Sequence, residues 1–75
     1  MIEVRCFARY RGLLGFESLS LPLPEPPTVA GLLALANLAA LPAEALVAVN
    51  RTFAAPGTVL VDGDEVALMP PVSGG

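Results

Sequence analysis

The chain has 75 residues, 55% of them hydrophobic, a formal net charge of −3 and a pI near 4.5. That length allows one small domain, the apolar content excludes disorder, and the acidic balance argues against a nucleic-acid partner. All four basic residues are arginines (Arg5, Arg9, Arg11 and Arg51), and there is neither lysine nor histidine, so no His-based triad or zinc site can be built.

The first segment alternates. Ile2, Val4, Cys6 and Ala8 point one way, while Glu3, Arg5, Phe7 and Arg9 point the other, which predicts a half-buried strand over 2–9. Arg11-Gly12-Leu13-Leu14-Gly15 reads as a turn bracketed by glycines. Residues 17–23 alternate again, with Leu19, Leu21 and Leu23 inward, as a hairpin partner that Pro24-Glu25-Pro26-Pro27 ends. Thr28 is placed as an N-cap, and Val29, Leu32, Leu33 and Ala36 form one apolar stripe of a single helix ending near 38–40. The apolar stretch 29–49 is interrupted by Asn37, Pro42 and Glu44, so no membrane span is expected.

Residues 45–50 read as a short, mostly buried strand, with a tight turn at Asn50-Arg51-Thr52 and a short edge strand at Phe53. Asp62-Gly63 is a strong turn signal. Glu65 to Met69 forms the last strand, with Val66 and Leu68 inward and Glu65, Ala67 and Met69 outward. The order gives an α+β domain, a mixed sheet of four to five strands with one main helix on one face. The domain is placed at 1–69, followed by a flexible tail over 70–75.

That tail, Pro70-Pro71-Val72-Ser73-Gly74-Gly75, is the most informative segment. Glycine has no Cβ, so a partner's groove can close tightly around Gly74 and Gly75. The Gly75 carboxylate is then the least hindered acid of the chain, while Pro70 and Pro71 favour an extended path. The missing lysine also means that an activated acyl group would meet no side-chain amine on its own molecule, although an Ala/Leu/Pro/Arg-rich compositional bias is the better account of the absence. The single cysteine, Cys6, faces the core and excludes an internal disulfide, which suits a reducing, cytoplasmic compartment. No secretory signal begins at Met1. Asp62, Asp64 and Glu65 belong to a turn rather than a metal site, because the full calcium-loop spacing is missing.

The run from Val61 to Gly75, together with Ala48-Val49-Asn50 and Phe7-Ala8 to Arg11, resembles the small sulfur-carrying subunit of molybdopterin synthase along the whole chain. The resemblance implies a ubiquitin-like β-grasp fold with parallel first and last strands. It also implies that an adenylating, E1-like enzyme uses MgATP on the Gly75 carboxylate, and that a sulfur donor system then leaves a thiocarboxylate. The loaded tail, with Val72 and Ser73 in the partner's channel, would give sulfur to a pyranopterin precursor inside the large subunit of molybdopterin synthase. The carrier itself would bind no cofactor tightly and supply no acid or base. The resemblance further implies that Phe7, Met69, Phe53 and Arg11 contact partners. Alternation alone places Phe7 and Met69 outward as an apolar patch near the arginines. A carrier for thiamin or tRNA thiolation, a ubiquitin-like protein modifier and a non-catalytic interaction module remain open alternatives, since one fold hosts many roles.

Overall fold

The computed structural model describes residues 1–71; the sequence expectations for Val72, Ser73, Gly74 and Gly75 lie outside the described residues. Five strands form one mixed sheet. They are β1 (Ile2–Cys6), β2 (Ser18–Leu21), β3 (Leu46–Val49), β4 (Thr52–Phe53) and β5 (Glu65–Met69), arranged β2-β1-β5-β3-β4. β1 and β5 run parallel at the centre, with Cys6 opposite Leu68, and the other pairings are antiparallel. Central strands must present apolar side chains to the covered face. Ile2, Val4, Cys6, Val66 and Leu68 do so and are almost completely buried.

β1 is shorter than the alternation implies. It stops at Cys6, and Ala8 takes a left-handed φ of 53°, so Ala8 is exposed rather than inward. The segment read as a turn is a short helix, α1 (Tyr10–Leu14), closed by Gly15 at φ 84°, whose N–H donates to the Arg11 carbonyl at 2.9 Å. Glycine takes that left-handed conformation without the backbone strain that a side chain brings. α1 exists to insert Tyr10, which is fully buried in the core. Its phenol oxygen is buried without a hydrogen-bond partner among the described residues, and the Arg9 guanidinium lies 5.5 Å from its ring centroid. An unpaired buried hydroxyl adds no net stability. Tyr10→Phe is therefore expected to leave the denaturation midpoint unchanged or to raise stability by up to about 1 kcal/mol. A clear loss in urea titration would contradict this.

β2 spans only Ser18–Leu21, so Leu21 is buried while Leu23, expected inward, is exposed beyond the strand's end. Thr28 is the N-cap as expected: its Oγ1 accepts from the Gly31 N–H at 3.1 Å and opens α2 (Val29–Leu33). The other first-turn N–H groups are satisfied as well. Val29 donates to Thr58, Ala30 to Pro56 and Leu32 to the Thr28 carbonyl, at 2.9 to 3.0 Å.

α2 is a single short helix and not the longer one the stripe suggests. The chain leaves helical geometry at Leu35 (φ −70°, ψ 147°) and resumes as a 3-10 turn over Ala36–Leu38. In a continuous helix Leu38 would lie about 180° from Val29, on the solvent side. The break rotates Leu38 into the core, where it is buried, and leaves Ala36 exposed. Leu33 packs only partly against the core.

Asn50 (φ 49°) and Arg51 (φ 71°) make the two-residue hairpin turn between β3 and β4, the left-handed pair such a turn requires. The Asn50 side chain does not serve its own turn. Instead its amide crosses to β5: Nδ2 donates to Asp64 Oδ1 at 2.9 Å, and Oδ1 accepts from the Glu65 N–H at 3.0 Å. Asp64 Oδ2 accepts from the Val61 N–H at 2.9 Å. The Val61 bond first, and then Asn50, hold the buried Asp64 carboxyl below its usual range.

A carboxyl lowered on folding stabilises the native state above its unfolded value, about 3.9, and that stabilisation is lost as pH falls toward the folded value. Asp64→Ala is expected to cost about 2 kcal/mol at pH 7, through the donors it leaves unpaired. In melts on both proteins the gap to wild type should shrink below pH 4, and a gap independent of pH would refute the assignment.

Candidate functional site

One face of the sheet is covered by α2 and the core; the other carries the candidate site. Strand register sorts that open face into two halves. Toward the start of β1 and β5 it is polar. Glu3 accepts from the hydroxyls of Ser18 at 2.7 Å and Ser20 at 2.9 Å, in that order the main causes of its lowered pKa. Arg5 lies 3.6 Å from Glu65.

Toward the end of β5 the face is apolar. Cys6 pairs with Leu68, and the Phe7 N–H donates to the Leu68 carbonyl at 3.0 Å, so Phe7 and Met69 are lateral neighbours. Leu46 pairs with Met69 on the other side. The next row runs Arg5, Ala67, Ala48 and Phe53 across four strands. Small Ala67 and Ala48 form the floor, while Phe7 (43% exposed) and Phe53 (69% exposed) rise at opposite sides. The Arg5 guanidinium sits 5.9 Å from the Phe7 ring centroid and marks the boundary between the halves.

The expected trio Phe7, Met69 and Phe53 therefore shares one face. Phe7 and Met69 are adjacent; Phe53 is two strands from β5, roughly 10 Å away at sheet spacing. Arg11 is exposed but sits on α1, outside the sheet, and makes no ion pair among the described residues. Arg9 is drawn over Tyr10, and Arg51 lies in the β3–β4 turn. Leu46 was missed, although the alternation that places Val47 inward would have placed it on the open face. Leu46 and Phe53 also border a groove of about 230 Å³ that continues between β3–β4 and α2, with Val29, Leu33, Ala54 and Pro56.

Pro70 and Pro71 follow Met69 directly and are half-buried, so the chain leaves the domain from the edge of the apolar patch. Cys6 takes no part: it is buried, and burial pushes its thiol up. Among the described residues no cluster of three or more His, Cys, Asp or Glu could hold a metal, and no helix is long and apolar enough to cross a membrane.

The ThiS family model matches residues 4–75, nearly the whole chain. The chain belongs to the ThiS family. This ThiS-family chain has the fold of ubiquitin-like sulfur carriers, a β-grasp with five strands and two short helices. It is similar to a Pyrococcus furiosus protein described as a putative molybdopterin converting factor, subunit 1. Identity is 28%, covering 95% of this chain and 97% of that one, with a TM-score of 0.80. It is also similar to SAMP1 from Haloferax volcanii, with 27% identity over 99% of this chain and 98% of that one, and a TM-score of 0.71. A third likeness is to a Helicobacter pylori complex of subunits 1 and 2 of molybdopterin-converting factor, with 26% identity over 99% and 97% and a TM-score of 0.69. No curated protein matches the chain by sequence.

Proposed function

We propose that this ThiS-family chain carries sulfur for molybdopterin synthesis. In this reading a MgATP-dependent adenylating enzyme activates the Gly75 carboxylate and releases pyrophosphate. A sulfur donor then displaces AMP, and the resulting thiocarboxylate supplies sulfur to a pyranopterin precursor within the large subunit of molybdopterin synthase. Transfer leaves Gly75 as a carboxylate, ready for another cycle. A peptide arm that presents a bound sulfur replaces diffusional encounter with an oriented one.

The observation that carries this reading is the position of Met69. It is the last residue of β5 and part of the apolar patch, so one partner surface can hold the patch and receive the arm that follows. The choice of pathway is supported by the likeness to the Pyrococcus protein, at a TM-score of 0.80 against 0.71 for SAMP1, and by the description of the Helicobacter complex. A second reading, a protein modifier, is favoured by the likeness to SAMP1 and to a Haloferax volcanii structure described as small archaeal modifier protein 1.

The test is reconstitution of the thiocarboxylate form with the large subunit and the cyclic pyranopterin, followed by assay of the dithiolene product. Stoichiometric consumption of thiocarboxylate with product formation is expected. Isopeptide conjugates on lysines of other proteins, with no pterin product, would favour the modifier.

A further inference from the structure

We infer that Asn50 is a positioning residue for the docking face: its side chain latches the β3–β4 hairpin to β5 and so holds Phe53 in place for the partner. The inference rests on the reading that this face binds the large subunit of molybdopterin synthase. Phe53 is the more exposed aromatic of the patch, and it stands on the shortest strand. β4 has two residues and pairs with β3 at the sheet edge. The Ala54 N–H donates to the Val47 carbonyl at 2.9 Å, which makes those two a hydrogen-bonded pair. Antiparallel pairs alternate, so Ala48 and Phe53 form a pair without mutual bonds. Phe53 thus turns its own N–H and C=O toward the open edge, and its place depends on the residues that flank it.

Downstream of Phe53 the chain is held by α2, where Ala30 donates to the Pro56 carbonyl at 2.9 Å and Val29 to the Thr58 carbonyl at 3.0 Å. Upstream it passes through Asn50 and Arg51, both left-handed (φ 49° and 71°). Asparagine tolerates that conformation and arginine disfavours it, so the turn needs holding. The Asn50 amide holds it with both ends used, Nδ2 donating to Asp64 Oδ1 and Oδ1 accepting from the Glu65 N–H. Asp64 is in turn fixed to the rest of the sheet. Its Oδ2 accepts from the Val61 N–H at 2.9 Å, and its carbonyl accepts from the Glu3 N–H at 3.0 Å. A path of bonds therefore runs from β1 through Asp64 and Asn50 to the turn that sets the direction of β4. Without the amide the turn visits other conformations, and Phe53 is presented correctly for only part of the time. Apparent affinity falls by that fraction.

Asn50→Gly isolates the side chain, because glycine keeps a left-handed φ without strain. Asn50 is exposed, so the substitution leaves no cavity. Binding to the large subunit is measured for this variant alone and combined with Phe53→Ala or with Phe7→Ala, as double-mutant cycles. Thr28→Ala, which removes the α2 cap, controls for stability loss alone.

Asn50→Gly is expected to weaken binding about fivefold, alone and in the Phe7→Ala background, but less than about 1.5-fold in the Phe53→Ala background. Thr28→Ala should bind as wild type does. In the free protein, hydrogen exchange of the Ala54 amide should quicken about fivefold in Asn50→Gly. Wild-type affinity in Asn50→Gly, an undiminished loss in the Phe53→Ala background, an equal loss in Thr28→Ala or unchanged Ala54 exchange would each overturn the inference while leaving the docking face intact. If wild type does not bind the large subunit, or if Phe7→Ala and Phe53→Ala both bind as tightly as wild type, the reading of the face fails and takes the inference with it.

Discussion

In the proposed role, Phe7→Asp is expected to weaken binding to the large subunit of molybdopterin synthase by at least about 2 kcal/mol, roughly 30-fold, in calorimetry or surface-binding measurements. Phe7 is lateral to Met69 on an open apolar half-face, with small Ala67 and Ala48 between it and Phe53. A partner that covers this patch must desolvate whatever stands there. An aspartate at this side of the patch would set a carboxylate against the partner's apolar surface, with the neighbouring Arg5 still engaged by Glu65 at 3.6 Å. Phe7 is exposed in the free chain, so the melting temperature should barely move. Val59→Asp is the matched control: Val59 is 65% exposed but lies beside Thr28 at the N-terminus of α2, away from the patch. Equal weakening by the two substitutions would show that acidity in general, and not this face, governs association.

Gly31→Ala is expected to damage the fold itself. A Cβ on Gly31 would collide with the Pro26 carbonyl oxygen and press on its carbon at 3.2 Å. Both are backbone atoms, so relief requires moving α2 away from the 24–27 segment. That segment is tied down, since the Pro26 carbonyl accepts from Thr28 and the Pro27 carbonyl from Leu60. Overpacking of this kind costs about 3 kcal/mol. A domain of this size has about 4–11 kcal/mol in total, so the loss corresponds to a fall in melting temperature of at least about 12 °C. Gly12→Ala serves as comparison. Gly12 is inside α1 with nothing within 4 Å of a new Cβ, and the substitution should stabilise by about 0.5–1 kcal/mol. A Gly31→Ala protein that melts with wild type would mean that α2 does not rest on the Pro26 backbone.

The sequence carried most of the sheet, because its information is local. Alternation in Ile2–Cys6 and Glu65–Met69 assigns the two central strands, and the Thr28 cap announces α2. What stayed hidden depends on distant partners. α1 has no side-chain cap, carries a glycine at its centre and is only five residues long; its reason to form is the burial of Tyr10. The break at Leu35 serves the burial of Leu38, which no helical period reveals. The Asn50–Asp64 link joins residues 14 apart in sequence, through a hairpin whose turn alone was visible.

On the open face, Phe7 and Met69 were legible from alternation. Leu46 was not, because residues 45–50 read as a mostly buried strand and their alternation passed unused. Arg11 was assigned by resemblance, and its place on α1 separates it from the sheet that carries the patch.

The central claim is activation of the C-terminal carboxylate, and intact mass tests it most directly. The chain is incubated with MgATP, a ThiS-family adenylating enzyme and a sulfur donor, then fragmented to localise any change. The account predicts a species heavier by the exchange of one oxygen for one sulfur, confined to Gly75. An unmodified mass under conditions where the same enzyme loads another carrier would contradict it and leave the apolar face as the surface of a non-catalytic interaction module.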